Sequence, residues 1–138
     1  MKTLLKPVKK LGIKNKLALA PMTRCLCNSR GLPNKKMENY YLKQAKSGFG
    51  LIIIESAAIN GTDALGYKNG LQFHSPEHLN YWSKFIKKFK RYGCKIIIQL
   101  FHSGRLTVKK VTGGIVLSPS AIKPDDQISF WRRLHKKK

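Results

Sequence analysis

The sequence predicts an α/β domain built on a parallel sheet, and three observations predict it. The runs Leu51–Ile54 and Ile96–Leu100 have the near-continuous apolar character of strands covered on both faces. Two intervening segments place apolar residues at helical spacing, each opened by a capping residue and closed by a glycine. The resulting order of strand, helix, strand, helix, strand requires right-handed crossovers, which doubly wound sheets and (β/α) barrels both use.

Taken in order, Leu4 to Asn15 carries Pro7 and Gly12 among alternating residues and predicts a short N-terminal hairpin. Leu17 to Ala20 reads as a brief buried strand, ended by Pro21. Pro33-Asn34 supplies a turn and a cap. Met37, Tyr40, Tyr41, Gln44 and Ala45 then follow at helical spacing, and Gly48 is the expected stop. The strand from Leu51 ends on Glu55 and Ser56. A long irregular stretch rich in Gly, Asn and Asp then runs to Ser75, and loops of that length are usually functional or disordered. Ser75-Pro76-Glu77 is a strong helix start. Leu79, Trp82, Phe85, Ile86 and Phe89 form its apolar stripe, Gly93 ends it, and Ile96 to Leu100 is the next strand.

A chain of 138 residues is long enough for one domain with a real core. Its mean hydropathy of −0.32 argues against a membrane protein. No apolar run approaches the roughly 20 residues of a membrane span or a signal-peptide core, so the expected location is cytoplasmic. Cys25, Cys27 and Cys94 form no C-x-x-C pair and are expected as reduced thiols. Neither Cys25-x-Cys27 nor the pair His74 and His78 has the further ligands of a metal site. The 28 basic against 6 acidic residues would attract nucleic acid or anionic surfaces nonspecifically. The lysines are scattered rather than striped with aromatics, and no zinc-finger, RNP or KH signature appears. A small basic protein binding nucleic acid or an anionic partner is the alternative function.

Pro21–Arg24, Glu55-Ser56 and Gln99–Arg105 all lie at the carboxyl ends of their strands, the side on which α/β folds bind ligands. The Thr23 hydroxyl suits a carbonyl oxygen on a flat ring, against the alternative of an ordinary proline loop. The Gln99 amide offers donor and acceptor to a heterocycle with neighbouring carbonyl and ring nitrogen, or else is satisfied by backbone groups. Ser56 either permits close approach or simply ends its strand. His102, with Gly104 and Arg105, either meets an acidic or carbonyl ligand or caps the loop. There is no Gly-rich phosphate loop and no G-x-S-x-G, and Cys25 has no activating partner nearby in sequence.

Together, APMTR from Ala20, LIIIES from Leu51, GYKNG from Gly66 and IIQLFHSGR from Ile97 resemble the Old Yellow Enzyme family. These are FMN-dependent ene-reductases and NADH:flavin oxidoreductases on a (β/α)8 barrel. The resemblance runs from about Leu5 to Ile122 and includes the closing VLSPSAI. It implies that residues 1–122 are the N-terminal portion of an FMN-binding (β/α)8 TIM barrel, about its first three βα units behind the hairpin. Residues 123–138, ending FWRRLHKKK, are then a divergent basic tail expected from truncation or a frame shift. By the same resemblance, backbone groups of Pro21 and Met22 and the Thr23 hydroxyl contact the isoalloxazine. Thr23 tunes it, and Gln99 bonds its pyrimidine edge. Ser56 stands where the family usually has Ala or Gly. Tyr67, Phe101 and His102 line the substrate pocket, with Phe101 where many members have Trp. The implied cofactors are FMN with NADH or NADPH as reductant, and the implied substrate is a small activated alkene or enone. The family's substrate-gripping His/Asn or His/His pair, its proton-donating Tyr and its phosphate loops have no counterpart here. A second polypeptide completing the barrel is the implied partner, without which the chain is expected to be marginally folded.

Overall fold

The computed structural model describes residues 3–107, 109–113 and 116–122, so the tail expected over 123–138 lies outside the described residues. Among the described residues the sheet has four strands, β1 (Ala18–Leu19), β2 (Leu51–Ala58), β3 (Leu71–Gln72) and β4 (Lys95–Phe101), all paired in parallel. β2 is central. β4 runs along one edge of it from Leu51↔Lys95 to Ala58↔Phe101. The other edge is shared by β1, opposite Leu51 and Ile52, and β3, opposite Ala57 and Ala58. Successive strands β1, β2 and β4 therefore lie side by side, joined by helices α1 (Lys35–Lys46) and α2 (Pro76–Lys87). Both candidate folds share that local order.

The helix boundaries follow from their caps. The Asn34 side chain accepts the Met37 N–H at 3.0 Å, satisfying one of the orphan donors of the first turn of α1. Gly48, at φ +100°, carries the chain out of that helix as expected. Ser75 opens α2 with a reciprocal box: its hydroxyl caps His78 N–H, and the Ser75 N–H donates to His78 Nδ1 at 3.3 Å. Met37, Tyr41 and Ala45 of α1 and Trp82 and Phe85 of α2, with Phe89 beyond it, bury against Ile52, Ile54 and Ala57 of β2. No described helix is long and apolar enough to cross a membrane.

Several expectations need correction in detail: β2 does not end on Glu55 and Ser56 but runs on to Ala58, and α2 ends at Lys87, Gly93 closing a separate 3₁₀ turn at Lys90–Tyr92. Leu79 is 61% exposed, because the buried seam of α2 begins at His78, four residues before Trp82, and leaves Leu79 on its flank. The predicted hairpin is a single bridge, Val8↔Ile13, around a 3₁₀ turn at Lys9–Leu11. The long stretch before Ser75 is neither structureless nor a mere loop. It contains β3, and Asn60 Oδ1 accepts the N–H groups of Thr62 and Ala64 in an Asx turn.

Ile96 and Ile98 of β4 pack on the helix-side core, whereas Ile97, on the opposite face, is 52% exposed. Among the described residues nothing pairs with the outer edge of β4.

Candidate functional site

The three polar strand ends meet at the carboxyl edge of the sheet, and a β-bulge aims them. Ile54 pairs with Ile98 and Ala57 with Leu100, so three steps along β2 match two along β4. The extra residue falls at Glu55-Ser56, opposite Gln99. Without the bulge, strand alternation would put Ser56 on the helix side with Ile52 and Ile54, and Glu55 on the other face. The extra residue reverses that phase. Glu55 bonds Tyr41 of α1, and Ser56 Oγ lies 2.7 Å from Thr23 Oγ1 in the loop after β1.

Thr23, Ser56 and Gln99 are thereby brought onto neighbouring strand ends. Ser56 is buried and Thr23 partly so, while Gln99 is exposed and its amide makes no hydrogen bond among the described residues. Pro21 is half-buried and Met22 exposed beside them. The donor set is neutral, with one hydroxyl pair, one free carboxamide and loop backbone. It fits the carbonyl and ring-nitrogen edge of a flat heterocycle, the group a flavin presents.

The far side of the site is a pair of cross-tied loops. Tyr67 and Phe101 stack with ring centroids 6.1 Å apart. Gly66 makes room for that stack, since a Cβ there would sit 2.8 Å from Phe101 Cε1. His102 has both ring nitrogens engaged. Its Nδ1 accepts the Gly104 N–H at 3.0 Å, which leaves the proton on Nε2 to donate to Asp63 Oδ2 at 2.7 Å. That bond holds the Asp63 carboxyl below its ordinary range. His102 thus ties the loop after β4 to the loop after β2, the capping role, instead of presenting a free nitrogen to a ligand. Arg105 reaches away, to the Ile122 carbonyl and the Ser120 hydroxyl.

Two groups that the sequence leaves unassigned organise the site. Glu55 is fully buried, and burial raises its carboxyl above the usual range against the pull of hydrogen bonds from Arg24 N–H and Tyr41 Oη. Its position at a strand end was the only signal available. Asp63 was visible only as a polar loop residue. The thiols are poorly suited to nucleophilic work: burial pushes Cys27 up to about 12, and raises Cys25 and Cys94 as well. His78 Nε2 lies 2.8 Å from the Arg30 carbonyl, which gives that histidine a structural role.

Residues 3–134 match the model of the NADH:flavin oxidoreductase / NADH oxidase family. An NADPH dehydrogenase of Bacillus velezensis is 34% identical over 123 residues, which is 87% of this chain and 35% of that protein. An NADH oxidase of Thermoanaerobacter brockii is 29% identical over 114 residues, 83% of this chain and 17% of the other. Among solved structures, an Old Yellow Enzyme from a Pichia species superposes with a TM-score of 0.80 at 27% identity, over 99% of this chain and 36% of its own. Morphinone reductase in complex with tetrahydroNAD gives 0.76 at 29% identity, over 87% and 33%. The chain therefore spans about a third or less of the length of these relatives.

Proposed function

The chain belongs to the NADH:flavin oxidoreductase / NADH oxidase family, and from that premise we propose that its carboxyl-end face holds the isoalloxazine of FMN in an ene-reductase. The sheet is accordingly part of a (β/α)8 barrel rather than of a doubly wound fold. The observation that carries the proposal is the Gln99 amide, without a hydrogen-bond partner among the described residues, opposite the bulge that sets Ser56 against Thr23.

The chemistry supplied by bound FMN is hydride transfer from NADH or NADPH to the β-carbon of an activated alkene or enone. The protein's part is placement and electrostatics. Gln99 fixes the ring's orientation by donating and accepting at its polar edge. If Ser56 donates to Thr23 Oγ1, the Thr23 proton is free for a ring carbonyl, where it favours the negative charge that reduction builds. Backbone groups of Pro21 and Met22 lie alongside, and the Tyr67–Phe101 stack walls the substrate side against water. Substrate-gripping and phosphate-binding groups would come from further βα units, pairing with the edge of β4 that is unpaired among the described residues.

Titration of FMN by fluorescence quenching tests the reading, with saturable binding expected and weakened in Gln99→Ala. Absence of FMN binding together with saturable, salt-dependent RNA binding would instead favour the basic binding protein that the +22 charge suggests.

A further inference from the structure

We propose that Glu55 is a positioning residue for the flavin-facing loop: its buried carboxyl, aimed by the β2 bulge, latches the chain at Arg24 and so sets where Thr23 stands. The inference rests on the flavin reading only for what that loop faces. Glu55 is wholly buried, yet it makes no ion pair among the described residues. The adjacent guanidinium of Arg24 lies 4.2 Å from the centroid of the Tyr40 ring instead. What satisfies the carboxyl is directional. Oε1 accepts the Arg24 N–H at 3.0 Å, and Oε2 accepts the Tyr41 hydroxyl at 3.1 Å. Tyr41 Oη in turn accepts the Glu55 N–H at 3.0 Å, closing the ring of bonds onto the bulge itself.

One side chain thereby joins the loop after β1, the kink in β2 and the middle of α1. The loop is held where it is strained. Cys25, next to the latched Arg24, has φ +53°, a left-handed conformation that a non-glycine residue keeps only when its surroundings enforce it. On the other side of Arg24, Thr23 meets Ser56, the residue following Glu55. Consecutive residues of the bulge thus grip consecutive residues of the loop from opposite faces of the sheet. A buried carboxyl is a costly way to fill core space, and an apolar side chain would fill it more cheaply. The placement of its acceptors on the loop accounts for its presence.

The test follows the labelling of native Cys25, Cys27 and Cys94 by a thiol reagent, resolved by peptide mass spectrometry. Loss of the Glu55 charge alone favours the Cys25 thiolate, so Glu55→Gln, which removes the charge but keeps an acceptor for Arg24 N–H, is the reference. Glu55→Ala is expected to label at Cys25 about tenfold faster than Glu55→Gln, with Cys94 unchanged, the mark of local release. Equal Cys25 rates in the two variants, or parallel acceleration of Cys94 in Glu55→Ala, would overturn the proposal. Should Glu55→Ala not fold, Tyr41→Phe keeps the ring and removes one arm of the latch. A faster Cys25 with unchanged Cys94 relative to the unsubstituted chain then supports the proposal, and equal rates overturn it. The FMN affinity of the same variants is read separately. If the unsubstituted chain binds no FMN, the flavin reading fails while the thiol rates still decide what Glu55 does.

Discussion

Thr23 and Ser56 share a hydrogen bond whose direction decides what the site offers a ligand. Removing the Ser56 hydroxyl leaves Thr23 free to turn its proton elsewhere. Ser56→Ala is therefore expected to weaken FMN binding by about 1 kcal/mol, roughly fivefold, in a fluorescence titration. Glu55 gives a pH signature of definite sign. Its carboxyl titrates above the ordinary 4.5 because it is buried, so in that window the native state holds a proton that the unfolded state has lost. Stability falls as pH rises through the window, and Glu55→Gln is exempt. Thermal melts should show the unsubstituted chain losing ground to Glu55→Gln as pH rises above 4.5, and a pH-independent difference would contradict this. Asp63 contributes with the opposite sign: its carboxyl is held low by His102, so its contribution is lost as pH falls. The places of Thr23 and Gln99 toward the carboxyl side of the sheet were legible in the sequence, because Pro21 ends the first apolar run and Gln99 falls near the end of the third. The partnerships of Glu55 and Ser56 were not, because strand alternation assigns each to the wrong face and a one-residue bulge leaves no pattern to read.

Among the elements, α1 and α2 were legible because caps and periodicity agree, with Asn34 and Ser75 opening them and Gly48 closing the first. Position on the α2 stripe sets the cost of substitution. Phe85→Ala should cost about 3–5 kcal/mol in denaturant unfolding, while Leu79→Ala should stay within about 0.5 kcal/mol. β3 escaped sequence reading because two residues carry no periodicity and pair only with the end of β2. It is nevertheless anchored. The Gly31 carbonyl accepts the Gln72 N–H at 3.1 Å, and Gly31 has φ +72° with space for no side chain. A Cβ there would lie 2.4 Å from Gln72 Cγ, so Gly31→Ala is expected to destabilise by more than about 1 kcal/mol.

For the whole molecule, the parallel order was legible in the pattern of apolar runs, but the choice of a barrel was legible only through the motif resemblance, since three adjacent strands are common to barrels and open sheets. Likeness to solved relatives bears the barrel out. The sheet leaves β4 without an outer neighbour among the described residues, with Leu100 63% exposed and Ile97 52%. An edge of that kind is a template for further strands. A polypeptide supplying the remaining βα units should therefore raise the melting temperature on mixing, and an unchanged melt would count against complementation. The central claim, that these strand ends form one wall of an FMN site, is tested most directly by titrating FMN against the chain, alone and with that polypeptide, by flavin fluorescence. Saturable quenching is expected, tightened by the complement and weakened about tenfold by Gln99→Ala. No saturable binding in either sample, or binding indifferent to Gln99, would contradict it.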